Sequence, residues 1–214
     1  MFEFDVVNAG LGQGMFNQNV EKLVFKKNKQ YLVHIMTGNV LAIKVHYRQG
    51  IGDFLCFGEE CCDVEGSPRI RYILPVIVYD TLDNMEIVSH VVKNYALCLG
   101  PDVYEDLITL QELNGKVEDI DILITCRDEE FQKVSFQYAG QARLNTPEFA
   151  QEKEKTIAFW QNNYHNIVKP VAKGITRRQY LDYIKKSIAL TEDSKESSKK
   201  KPFFEDVFRD LFKL

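Results

Sequence analysis

Through roughly the first two thirds of the chain, apolar and polar positions alternate with a period of two, the mark of half-buried strands. "QYLVHIM" and "VLAIKVHY" are two such runs separated by "TGN", whose Gly and Asn suit a reversal, so the pattern predicts a β-hairpin. A loop containing Gly50, Gly52, Gly58 and Gly66 follows, then "RIRYILPVIVYD" and "MEIVSHVVKNYA", both with strand character. Pro75 lies inside the first of these and predicts an edge or a bulge, since proline donates no ladder hydrogen bond. "GPDVYEDLITLQELNG" changes the period. Val103, Leu107, Leu110 and Leu113 recur at helical spacing, Pro101 suits the first turn, and Asn114-Gly115 ends the run. "DIDILITCRDEEFQKVSFQY" then returns to alternation as a hairpin whose first strand is apolar on both faces. Beyond Pro147 the pattern is helical in "PEFAQEKEKTIAFWQNNYHNIV" and "ITRRQYLDYIKKSIAL".

Five or six strands with one helix before the last pair predict a mainly β fold with α elements. The plan that fits is an oligonucleotide/oligosaccharide-binding (OB)-like five- to six-stranded β-barrel with an inserted helix, followed by a C-terminal helical region and a flexible tail. A β-sandwich is the alternative. The expected divisions are 1–146 for the barrel, 147–190 for a helical extension, 191–202 for a linker of Ser, Lys and Glu, and 203–214 for an amphipathic tail.

Composition narrows the setting. With 214 residues, 45% of them hydrophobic and 27% charged, the chain has enough material for one good core and is not expected to be disordered. No run approaches the roughly 18 apolar residues of a membrane span, and "MFEFDVVNAG" lacks a basic stretch followed by an apolar one, so a cytosolic chain is expected. The formal net charge is −4, yet it is unevenly spread: residues 81–120 hold two Lys against eight acids, and residues 161–202 hold ten Lys or Arg against four. Local potential steers a charged partner more than the total does.

Three constellations carry chemistry. Lys26, Lys27 and Lys29 lead into Tyr31; Lys44, Tyr47 and Arg48 lie along one strand; Arg69, Arg71 and Tyr72 open another; Phe54 and Phe57 sit in the glycine loop. Cations a strand-pair apart can follow a phosphate backbone while rings stack bases without distinguishing them, so these twelve residues are the expected contacts to single-stranded DNA. A solvated strand face with the rings filling the core would leave the same pattern. His46, Cys56, Cys61 and Cys62 supply imidazole and thiolate groups suited to a structural zinc ion, although adjacent cysteines usually diverge; free thiols on a loop are the alternative. Phe203, Phe204, Val207, Phe208, Leu211 and Phe212 form one apolar stripe of a short helix, a tail expected to dock into a partner. No signature of a P-loop, nucleophile elbow, zinc protease or paired carboxylates is present, so no catalytic residue and no enzymatic role are expected.

Taken in order, "CFGEECC", "RIRYILPVIVYD", "MEIVSHVV", "VYEDLITLQEL" and "IDILITCRDEEFQKVSFQY" resemble the OB-fold single-stranded DNA-binding proteins of tailed bacteriophages. Members of that family place a loop with two cysteine pairs before an Arg/Tyr-rich strand ending in VxD, and close with a yDixItRxGxGxxxxY hairpin. This chain has an irregular cysteine set, "RDEEF" where the family has a glycine turn, and a tail ending "FKL". The resemblance implies sequence-independent coating of single strands in phage replication, recombination or repair, in the cytoplasm of an infected bacterium. It also implies a tail that recruits replication or recombination proteins, or competes with DNA. The helical extension is expected to lengthen the DNA path or mediate self-association. A competing expectation is a protein–protein adaptor or phage polymerase subunit acting through the tail helix alone.

Overall fold

A computed structural model describes residues 19–83, 86–89, 92–127 and 134–193. The fold is mixed α/β. Among the described residues nine strands form a single open sheet: β1 (Glu21–Lys22), β2 (Lys29–Ile35), β3 (Leu41–Arg48), β4 (Gly52–Leu55), β5 (Arg69–Asp83), β6 (Glu86–Ser89), β7 (Lys93–Leu99), β8 (Ile120–Cys126) and β9 (Val134–Gln141). The described residues also form four α-helices: α1 (Glu59–Glu65), α2 (Pro101–Asn114), α3 (Ala150–Asn163) and α4 (Arg177–Asp193). The main path of the sheet runs β1-β7-β5-β2-β8-β9, and among the described residues its two ends do not pair, so of the closed or partly open barrel expected the closed form is not seen. No described helix is long and apolar enough to cross a membrane.

The fifteen residues of β5 organise the sheet. One of its edges pairs with β7, while the other carries β2 opposite 76–83 and β3 opposite 69–73. The predicted β2–β3 hairpin is therefore corrected: the two strands lie in line along one neighbour and do not pair with each other. "TGN" kinks the chain without reversing it. Asn39 N–H donates to Thr37 Oγ1, Gly38 N–H donates to Glu118 Oε1 at 2.8 Å, and a Cβ on Gly38 would meet that carboxylate oxygen at 3.1 Å. Pro75 turns out to be central, not at an edge. Its carbonyl accepts from Met36 N–H, so the side that lacks a donor faces the end of β2, where the ladder stops.

Alternation along β5 feeds two cores on opposite faces of the sheet. Leu74, Val76 and Val78 join Val33, Ile35, Leu97, Ile122, Ile124 and Leu107 of α2 on one face. Ile73 and Ala96 on the other face are covered by Trp160 of α3, Ile167 and Val171, and Ile77 and Tyr79 by Leu144. α3 thus packs against the sheet, and the chain divides into two compact units, 1–174 and 175–214. In the second unit α4 starts with a reciprocal cap, Gln179 N–H to Thr176 Oγ1 and Thr176 N–H to Gln179 Oε1, and continues to Asp193, past the expected start of the linker. The tail and the hairpin tip lie outside the described residues.

A polar clasp fastens the segment after β9. Asp121, 1% exposed, accepts Arg143 N–H through Oδ2 at 3.0 Å, and its Oδ1 lies 3.4 Å from His34 Nδ1; the Arg143 side chain reaches back to Asp80. Asp121→Ala leaves the Arg143 N–H short of an acceptor and removes the carboxylate beside the Arg143 guanidinium, so a urea unfolding curve is expected to show a loss of about 2–3 kcal/mol.

Candidate metal centre and nucleic-acid interface

β3 and β4 project as a two-stranded arm with His46 opposite Phe54. Cys56 N–H bonds Lys44 O at 2.9 Å and prolongs that pairing by one residue, which fixes the Cys56 side chain beside His46. Gly58, at φ 116, then turns the chain into α1 through a conformation other residues rarely adopt, and a glycine is required there by backbone geometry, not by space. Cys61 and Cys62 fall in the first turn of α1. At that position adjacent side chains need not diverge past a common point, and the expectation from their adjacency is corrected: all four ligand atoms of His46, Cys56, Cys61 and Cys62 lie within 4.8 Å of one another.

The spacing suits a tetrahedral ion. Cys56 Sγ is 3.6 Å from Cys61 Sγ and 3.7 Å from Cys62 Sγ, and Cys62 Sγ is 3.7 Å from His46 Nε2. Metal–sulfur bonds of about 2.3 Å in a tetrahedron put sulfurs about 3.8 Å apart, so these separations fit such a donor set. The protonation pattern fits as well. Burial holds His46 below its ordinary value, which favours the neutral ring that ligates. Burial acts to raise the Cys56 thiol, but hydrogen bonding at Gly58, Cys61 and Cys62 and the Lys44 charge outweigh it and pull it down. Desolvation and the neighbouring Cys56 push Cys62 up to about 11, and burial raises Cys61. Without an ion the cluster yields one thiolate readily and resists the next; a dication removes that resistance. Phe57 N–H already donates to Cys61 Sγ at 3.3 Å, the outer hydrogen bond that a bound thiolate uses. Arg48 pairs with Glu65 and ties the end of α1 to β3, while Lys173 exchanges backbone hydrogen bonds with Asp53 and Leu55 along the free edge of β4.

The expected DNA contacts separate into several groups. Tyr47 stands 56% exposed, with Lys44 and Arg69 exposed and Ile70 40% exposed opposite Lys44. Arg71 is half-buried, with Nη1 near Gly100. Arg48 is engaged by Glu65. Phe54 is fully buried between the His46 and Phe57 rings, so it is a core residue, and Phe57 is half-buried against it. Tyr72 stacks on Tyr104 with ring centroids 4.1 Å apart. Tyr31 is buried, accepts Lys26 N–H and donates to Val24 O, so it latches the loop before β2 and offers no open ring face for a base. Lys26 and Lys27 are exposed and Lys29 half-buried, but they lie at the far end of β5, where Lys29 pairs with Asp83. Val78, which faces them, is seven residues beyond Arg71, about 23 Å along a strand. Sequence reasoning passed over Lys22 and Lys93, which join that far group; each stands alone in its own segment, and only the parallel β1–β7 pairing brings them together. Comparisons with protein-family models, with curated proteins and with solved structures give no match to this chain.

Proposed function

We propose that the chain binds single-stranded DNA without base specificity, over the rim made by β3 and the start of β5, and that a structural zinc ion holds the adjoining β4–α1 loop. The observation that carries this reading is that Tyr47 and Arg69 are exposed on one face of the β3–β5 pairing, Arg69 standing opposite Val45, while Lys44 is exposed on the other face of the same strand pair, next to the His46/Cys56/Cys61/Cys62 cluster. Two cations and a ring give backbone attraction plus a stacking surface, the combination that tolerates any base. Connectivity supports an OB-like plan: β2 and β3 together act as one long first strand, β5 and β7 follow antiparallel, α2 intervenes, and β8 returns to pair with β2 before β9. The sheet is partly open, as such folds can be.

Trp160, Ile167 and Val171 cover the outer side of β5 and β7, so the strand's route lies along the arm and not across that face. α3 uses its apolar side for this packing, leaving its polar side for any lengthening of the path. The chain acts by binding alone, in phage replication, recombination or repair, with residues 203–214 as the recruiting segment. Ultraviolet crosslinking of a dT oligomer followed by peptide mapping tests the route. The crosslinked peptide is expected to contain Tyr47; crosslinks confined to peptides from α3 would contradict it.

A further inference from the structure

A second basic feature lies beyond this rim. Where β1, β7, β5 and the approach to β2 meet, a half-open cleft of about 520 Å³ is bordered by Lys22, Lys26, Lys29 and Lys93, with Glu21 as its one acid. Its floor is apolar: Leu23, Tyr31 and Val78 belong to the main core, and the half-buried Tyr95 ring packs against that core. Three positive charges net are thus gathered at one opening in a chain whose total is −4. Among the described residues, Lys22, Lys26 and Lys93 form no ion pair, so their mutual repulsion is not relieved from within. Ammonium groups on flexible stems are point-charge phosphate binders, and an apolar floor with an aromatic ring beneath them suits the flat part of the same ligand.

We infer that this cleft is a nucleotide site, its lysines holding phosphate and its Tyr95 and Val24 side carrying a base. The inference deepens the single-strand reading: a strand crossing both the rim and the cleft covers about 23 Å, within the ~4–16 nucleotides that one such fold occupies. The phosphate can belong either to a DNA strand or to a free nucleotide, and the two sources separate experimentally.

The 214-residue chain and its triple variant Lys22→Ala/Lys26→Ala/Lys93→Ala are titrated with labelled dT12 across a salt series, and with dTMP and inorganic phosphate by NMR or calorimetry. A triple Lys→Arg variant serves as the rescue, and thermal melts show that each variant is folded. The alanine variant is expected to bind dT12 about tenfold more weakly at low salt, with the slope of log K against log salt reduced by about 2, as three lost phosphate contacts require. It also loses dTMP binding, and the arginine variant recovers both. Unchanged dT12 affinity and slope together with no dTMP binding would overturn the inference and leave the single-strand reading standing. Lysine-dependent dTMP binding by a protein that ignores dT12 would uphold the cleft, with free nucleotide as its ligand, and end the single-strand reading. Inorganic phosphate binding as tightly as dTMP would overturn the assignment to a nucleotide.

Discussion

Protein prepared under reducing conditions with zinc in the growth medium is expected to carry one equivalent of zinc, and Cys61→Ser to carry none. Cys61 makes this the most damaging single change in the loop. It is fully buried, its sulfur lies 3.6 Å from Cys56 Sγ, and it receives the Phe57 N–H. Serine keeps the size of the side chain but neither the sulfur donor nor its ionisation, so three ligands remain and the ion is held poorly. The Arg48–Glu65 pair and the Phe57 ring beside Phe54 also tie the loop from Cys56 to Gly66. Structural zinc in small peptides contributes about 10–16 kcal/mol of apparent binding energy, so removing one of four ligands is expected to loosen the loop. A loss of about 3 kcal/mol in global stability lowers the melting midpoint by about 6–12 °C for a chain of this size. Limited proteolysis should report the same change locally, as new cleavage between Gly58 and Gly66. A zinc titration of the reduced wild-type protein that shows no binding would remove the metal from the account.

The second large effect concerns the rim. Lys44→Ala/Arg69→Ala removes two exposed cations that face solvent on β3 and β5, so folding is expected to be unchanged while affinity for dT oligomers falls and the salt slope drops by about 1.4. Tyr47→Ala acts differently. Removing a stacked ring costs about 1–3 kcal/mol per base and leaves the salt slope as it was, because no phosphate contact is lost. Electrostatic and stacking contributions therefore separate in one series of titrations. Phe54 is no substitute for Tyr47 in that series: it is fully buried beneath His46, and its loss damages the arm itself.

These two experiments also mark what the chain makes legible before it is folded. α2 is readable because Pro101 and Gly115 bracket it and Val103, Leu107 and Leu110 turn to the core, although Leu113 of the same spacing is 78% exposed, and β8 with β9 is readable from alternation on both sides of a charged tip. His46, Cys56, Cys61 and Cys62 could be named because the residue types alone suit zinc. That Cys61 and Cys62 converge depended on the helix turn they sit in, which a loop rich in glycine does not announce. β2 and β3 were mistaken for a hairpin because Thr37-Gly38-Asn39 has the composition of a reversal, while its in-line course is set by β5 and by Glu118, both far away in sequence. Tyr31 and Phe54 show the same limit. Period two assigns each ring to a face, but which face is covered depends on neighbours contributed from elsewhere in the chain. Asp80 and Asp121 have no role that their neighbours in sequence suggest, yet with Arg143 and His34 they clasp the sheet to the segment after β9.

The central claim is tested most directly by fluorescence anisotropy of a labelled dT oligomer and of a duplex of the same length, each titrated with the full chain over a salt series. The account predicts binding to dT that weakens steadily as salt rises, with a negative slope of log K on log salt and markedly lower affinity for the duplex. Equal affinity for the two, or no binding to dT at low salt, would contradict it.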